Sequence, residues 1–242
     1  YDVYMMDWNA PRADEKRLRL EDYALDFIPD CVKRVQERSG VGDVTILGYC
    51  MGGVLSTIYA ALHADGPVRH LVCFTTPIDW QQMPLFQAWS DRRYFDVDRL
   101  VDSVGNVPAD FVMSAFDMLR PAGRVAGQMR VWDNMWNDEF VKSYRMFDRW
   151  GAETLPLAGE YFRQTTKELL WDNKLCKNEL TVGGRRVDLK NITLPLLHVV
   201  AEHDHIVPYA AAKPLIAAGV AAVPQGWRLP GPSLRVMADR QP

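Results

Sequence analysis

Cysteine is scarce in this chain, and no spacing gives it a structural role: Cys31, Cys50, Cys73 and Cys176 are scattered, with no CxxC pair. Single thiols spread over 242 residues exclude the disulfide framework of small secreted domains and fit reduced thiols in a cytosol. The same scatter argues against a metal site, whose ligands come in closely spaced sets. No apolar run approaches the roughly 20 residues that a bilayer-spanning helix needs. An excess of one charge is also lacking. The 28 basic and 31 acidic residues leave a net charge of −3, evenly spread, with no footprint for nucleic acid or a polybasic membrane patch. The opening Tyr1-Asp2-Val3-Tyr4 has neither a basic-then-apolar leader nor an initiator Met, so the expectation is a start inside a longer gene product.

What is present is the balance of a globular protein, 48% hydrophobic and 24% charged, in a chain long enough for one substantial core. Residues 2–6 are β-prone and predict a buried strand. Apolar positions 24, 27, 28, 31, 32 and 35 predict a helix from about Leu20 to Ser39, kinked near Pro29 and stopped by Gly40. Val44-Thr45-Ile46-Leu47 predicts a central parallel strand, Met51–His63 a helix, and Arg69–Thr76 the next strand. That β-α-β-α-β order predicts an α/β fold with a parallel sheet and flanking helices. Residues 77–190 then interrupt it with helical or irregular, aromatic-rich sequence, far longer than an ordinary strand-to-helix connection. They are expected to pack as a cap or lid over the strand ends, their aromatics forming first of all its own core. Strand character returns at Leu194–Ala201 and leads into Glu202-His203-Asp204-His205. The expected organisation is core 1–76, cap 77–190, core 191–216, and a divergent tail 217–242.

The pattern with chemistry in it is Gly48-Tyr49-Cys50-Met51-Gly52, between an apolar strand and an amphipathic helix. A nucleophile elbow has this form: one reactive side chain on a strained strand-to-helix turn, with small residues two before and two after it so that backbone can pass close. Gly48 and Gly52 meet that need, and Gly53 extends it. The helix start favours a thiolate at Cys50 and then an oxyanion, with the Met51 N–H as first donor. A buried structural cysteine is the alternative reading, and Cys31 and Cys73 fit it. A cysteine nucleophile also needs a base and an acid to orient it. Asp204, after the late strand, is the candidate acid, against the alternative of an ordinary turn aspartate.

Several segments resemble one family. Asp-Val-Tyr-Met-Met-Asp-Trp (2–8), Leu-Glu-Asp-Tyr (20–23), Gly-Tyr-Cys-Met-Gly-Gly (48–53), Val-Gly-Asn-Val-Pro (104–108), Val-Asp-Leu-Lys-Asn-Ile (187–192) and Asp-His-Ile-Val-Pro (204–208) are similar to polyhydroxyalkanoate synthases, from residue 1 to about 216. The compact cap most resembles the two-subunit, class III type. The resemblance implies an α/β-hydrolase fold and an acyltransferase that polymerises (R)-3-hydroxyacyl-CoA into storage polyester with release of CoA. It implies Cys50 as the carrier of the growing chain in thioester linkage and Asp204 as the catalytic aspartate. CoA thioester is then substrate and no cofactor or metal is expected. The implied partners are the polyester chain, the polymer granule surface, a second synthase subunit and other copies of the chain, in a cytoplasmic, granule-associated setting.

Two parts of the family pattern are absent. The Gly-His motif expected 25–30 residues beyond the aspartate is not found, and residues 217–242 hold four prolines, three glycines and no histidine. That tail is expected to be poorly ordered. The strands and oxyanion loop that ordinarily precede residue 1, and the strand and helix that follow the acid, are likewise expected to be missing. Among the five histidines, His63 and His70 lie away from the elbow, His198 reads as a core residue, and His203 and His205 flank Asp204 in opposite directions. The chain alone is therefore expected to be inactive or nearly so. Two other readings stay open: a cysteine hydrolase of esters or lactones, and a non-catalytic, granule-associated relative.

Overall fold

A computed structural model describes residues 2–119, 122–219, 227–228 and 234–238. In chain order the core begins with α1 (Ile28–Ser39), β1 (Val44–Tyr49), α2 (Met51–Leu62) and β2 (Val68–Phe74). A hairpin of β3 (Thr181–Val182) and β4 (Arg185–Arg186) follows much later, then β5 (Leu196–Ala201), β6 (Trp227–Arg228) and β7 (Leu234–Ala238). The main sheet runs β1-β2-β5-β7-β6. Its first three strands are parallel, and β7 joins β5 antiparallel from Leu197 opposite Ala238 to Ala201 opposite Leu234. Helix α2 packs on β1 and β2 and is buried along nearly its whole length, from Gly53 to Leu62.

The expected helix over 20–39 forms in two parts. A π-helical stretch, Asp22–Phe27, leads into α1, whose second residue is Pro29. Proline has no N–H to donate to the preceding turn, which is why the register changes there. Gly40, at φ 73°, closes α1 by donating its N–H to the Gln36 carbonyl, as predicted.

Three expectations fail in the core. Asp2–Met6 forms no strand: Val3 is 87% and Met5 90% exposed, and no described strand pairs with them. β-propensity without a partner does not order a lone segment. Among the described residues β1 lies at the edge of the sheet, with Leu47 63% and Tyr49 62% exposed, and not at its centre. Part of the tail does take regular form, since β6 and β7 lie within 217–242. There the open side of β5 supplies hydrogen bonds that no local pattern announces. The rest of 220–242 lies outside the described residues.

The chain divides into two compact units. The first is 1–7, 18–96 and 163–242; the second is 8–17 and 97–162. The stretch expected as one insertion, 77–190, is thus divided, its two ends belonging to the first unit. The second unit holds α4 (Val97–Val104), α5 (Ala109–Leu119), α6 (Gly123–Asp133) and α7 (Asp138–Ala152); the short α3 (Pro84–Trp89) stays with the core. Within the second unit, Asn106 Nδ2 donates to the Pro11 and Arg12 carbonyls at 3.1 and 2.8 Å. Many of its aromatics do not form a core. Trp132, Trp136, Phe147 and Trp150 are all exposed.

Candidate active site

Cys50 stands between β1 and α2 at φ 51°, ψ −115°. A side chain held at positive φ outside a glycine marks stored backbone strain, and here it is the strain of the elbow. The turn is pinned on both sides. The Cys50 N–H donates to the Phe74 carbonyl at 2.9 Å, and the Val54 N–H donates to the Cys50 carbonyl at 3.2 Å.

The glycines divide differently from the sequence reading. A Cβ on Gly48 would lie 2.5 Å from the Gly53 Cα and 2.6 Å from the Gly52 carbonyl oxygen, so backbone passes directly over it. A Cβ on Gly53 would lie 1.8 Å from Thr76 Oγ1. Around Gly52 nothing comes within 4 Å. The tight pair is therefore Gly48 and Gly53: the Gly52–Gly53 backbone crowds the first, and Thr76, just beyond β2, crowds the second.

The strands bring the second candidate to the same end of the sheet. β1 and β5 both run parallel to β2, so Cys50 and Asp204 follow the carboxyl ends of their strands, where open α/β sheets place their sites. Asp204 Oδ1 accepts the N–H groups of Ile206 and Val207 at 2.8 and 3.0 Å, which fixes the carboxylate in its turn. Burial pushes the Cys50 thiol above its ordinary pKa, the Met51 amide opposes this by hydrogen bonding to the sulfur, and the charge of Asp204 adds to the rise. The helix start favours the thiolate through the Met51 N–H, as expected, but other contributions outweigh it. Desolvation and a nearby carboxylate outweigh one backbone donor.

Two neighbours escaped the sequence reading. The Tyr49 hydroxyl is raised in pKa by burial first, then by Cys50 and Asp204, while a hydrogen bond with the Thr75 side chain opposes the rise. Thr75 itself has φ 43°. The only signal in the sequence was position, since Tyr49 precedes the nucleophile and Thr75 follows β2.

Three of the histidines are engaged away from Cys50: His198 accepts the Thr76 N–H, His63 bonds the Tyr59 carbonyl and His70 the Thr45 hydroxyl. No histidine is among the groups that shift the Cys50 thiol. Among the described residues, no cluster of His, Cys, Asp and Glu could hold a metal ion, and no helix is long and apolar enough to cross a membrane.

A family model of the alpha/beta hydrolase fold matches residues 1–230. The chain belongs to the α/β-hydrolase family. Within it, the chain is similar to curated proteins named poly(3-hydroxyalkanoate) polymerase subunit PhaC. With that of Haloarcula marismortui it shares 36% identity over 220 residues, covering 88% of this chain and 45% of the relative. With that of Allochromatium vinosum the figures are 36% over 217 residues, 88% and 60%; with that of Synechocystis, 35% over 218 residues, 87% and 57%. The chain thus spans about half the length of the curated relatives it matches.

One α/β-hydrolase residue makes stability pH-dependent. His198 in β5 is fully buried, and burial lowers its pKa from 6.5 to about 4. Above pH 6.5 it is neutral folded and unfolded. Between 6.5 and 4 only the unfolded chain takes up the proton, so stability falls as pH falls, by about 3 kcal/mol in all. Urea midpoints measured from pH 7 to 4 should show this slope, and His198→Gln should lack it. Equal slopes in the two proteins would refute the assignment.

Proposed function

We propose that this chain is the catalytic portion of a poly(3-hydroxyalkanoate) polymerase, taking (R)-3-hydroxyacyl groups from CoA onto Cys50. The observation that carries the proposal is a cysteine at the strained elbow of a chain similar to such polymerases. In the acyl-transfer step, the Cys50 sulfur attacks the thioester carbonyl and a new C–S bond forms. The C–S bond to CoA breaks, and CoA leaves as its thiol with the proton from Cys50. The Met51 N–H is the proposed donor to the oxyanion, and Asp204 the proposed catalytic carboxylate. The growing polyester is then passed to the 3-hydroxyl of another acyl group. The acyl-CoA thioester is the substrate and CoA the product, so this step calls for no cofactor and no metal.

With the thiol pKa raised and no histidine among the groups that shift it, the Cys50 proton passes to the departing CoA sulfur through solvent. We propose that the chain by itself loads Cys50 once and does not sustain polymerisation. Incubated with 3-hydroxybutyryl-CoA, it should release about one CoA per chain and gain the acyl group on the Cys50 peptide, faster as pH rises. Absence of any adduct would refute the polymerase reading; many turnovers would refute the single loading.

The granule is the proposed partner surface and the proposed location, in the cytoplasm. Exposed Trp132, Trp136, Phe147 and Trp150 support a hydrophobic contact. The chain should co-sediment with poly(3-hydroxybutyrate) particles, and replacing all four with serine should lower the bound fraction about tenfold or more. Unchanged binding would exclude this surface. The word subunit in the relatives' names supports assembly with a second polypeptide or another copy, which the chain's own sedimentation profile reads.

A further inference from the structure

Beneath the elbow lies a buried polar group that acyl transfer does not use: Thr57, Cys73, Thr76 and His198. His198 is in register with Cys73 across β5 and β2. Its Nε2 accepts the Thr76 N–H at 3.2 Å. A neutral imidazole has one accepting nitrogen and one that carries the proton. Nδ1 therefore carries it, and among the described residues Nδ1 has no hydrogen-bond partner. An unpaired buried donor costs stability, so an apolar side chain would fill this place better if packing were its whole task.

The bond to Thr76 leads to the nucleophile along two routes. Thr76 Oγ1 donates to the Phe74 carbonyl at 3.3 Å, the same carbonyl that accepts the Cys50 N–H. The Thr76 side chain also occupies the space where a Gly53 Cβ would be, against the first turn of α2. Between these contacts, Thr75 is held in the left-handed region, which a β-branched residue enters only under constraint. Strand β5 supplies that constraint twice over, since the Thr75 N–H donates to the Val199 carbonyl at 2.8 Å while Thr76 is held by His198.

We propose that His198 is a positioning residue for Cys50: by accepting the Thr76 N–H it fixes the strained turn after β2, and through the Phe74 carbonyl and the Thr76–Gly53 contact it fixes the elbow. It is not the base. The Nε2 lone pair is committed to Thr76, and Nδ1, carrying the proton, has none to offer. The inference deepens the acyl-transfer reading of Cys50, but its test does not depend on acyl transfer.

The test is the pH profile of Cys50 alkylation by iodoacetamide, followed on the Cys50 peptide in folded protein, with Cys31 as internal reference. His198→Leu removes the acceptor at similar size. A loosened elbow admits water to the thiol, so the midpoint should fall by about half a pH unit or more. His198→Gln, whose amide oxygen can accept the same N–H, should stay within about 0.2 units of the wild type. A purely structural role would lower the melting temperature and leave the midpoint in place. A folded His198→Leu protein with the wild-type profile overturns the proposal. Should that variant not fold, Thr76→Val decides, because it keeps the shape and deletes the hydroxyl bond to Phe74. A downward shift supports the proposal and an unchanged profile overturns it. A chain that takes no acyl group yet shows the His198 dependence overturns the polymerase reading alone.

Discussion

Cys50→Ala should abolish the acyl adduct and lower the first release of CoA by about 10³-fold or more, because the step forms a bond to that sulfur and no other group can replace it. The other thiols serve as controls. Cys73 is buried within the sheet, its pKa pushed up to about 11 by desolvation, and neighbouring threonine hydroxyls only partly oppose this. Cys31 lies on α1, and Cys176 lies near Asp79, with burial and that charge raising its pKa. Cys50→Ser is the sharper variant, since it keeps a nucleophilic atom at the same strained position. A hydroxyl holds its proton far more tightly than a thiol, so with no histidine acting on the site the serine protein should also fail to load. Peptide mass spectrometry after incubation with 3-hydroxybutyryl-CoA checks both. An adduct that persists in Cys50→Ala and maps to Cys31 or Cys176 would move the chemistry elsewhere in the chain.

The second large effect separates two glycines four residues apart in the elbow. Gly48→Ala should cost more than about 3 kcal/mol and leave little folded protein, because its Cβ meets backbone that cannot swing aside as a side chain could. Gly52→Ala should melt at or slightly above the wild-type temperature. Its Cβ enters open space in the first turn of α2, where alanine is the better helix former by up to about 1 kcal/mol. Thermal unfolding of the two variants side by side is the measurement. Equal destabilisation would show that smallness at 52 matters after all, through something the close contacts do not show.

That contrast indicates what could be read from the sequence. The strand, the elbow and α2 were legible because they are local: a β-branched run, a glycine-flanked cysteine and a helical stripe stand side by side. Asp204 was legible as the residue after a late apolar strand. That Gly53 is crowded while Gly52 is open was not legible, because Thr76, which crowds Gly53, lies beyond the next strand. The net direction of the Cys50 pKa was not legible for a similar reason. The helix start is local, whereas burial and the Asp204 carboxylate arrive only with the folded sheet. Asp2–Met6 and β1 show the same limit for strands, since a pattern reports what could pair but not whether a partner is alongside. β7 shows the converse, a strand formed by pairing where alternation is weak.

The contact between Thr76 and Gly53 also bears on how such sequences can diverge. One residue supplies the bulk that the other omits, so together they fill a single fixed volume. Neither position is free to drift by itself: a side chain at 53 becomes admissible only when 76 shrinks, and a larger group at 76 has nowhere to go. Across related sequences the two columns should therefore change together or not at all, a correlated substitution between an elbow and the turn after a neighbouring strand.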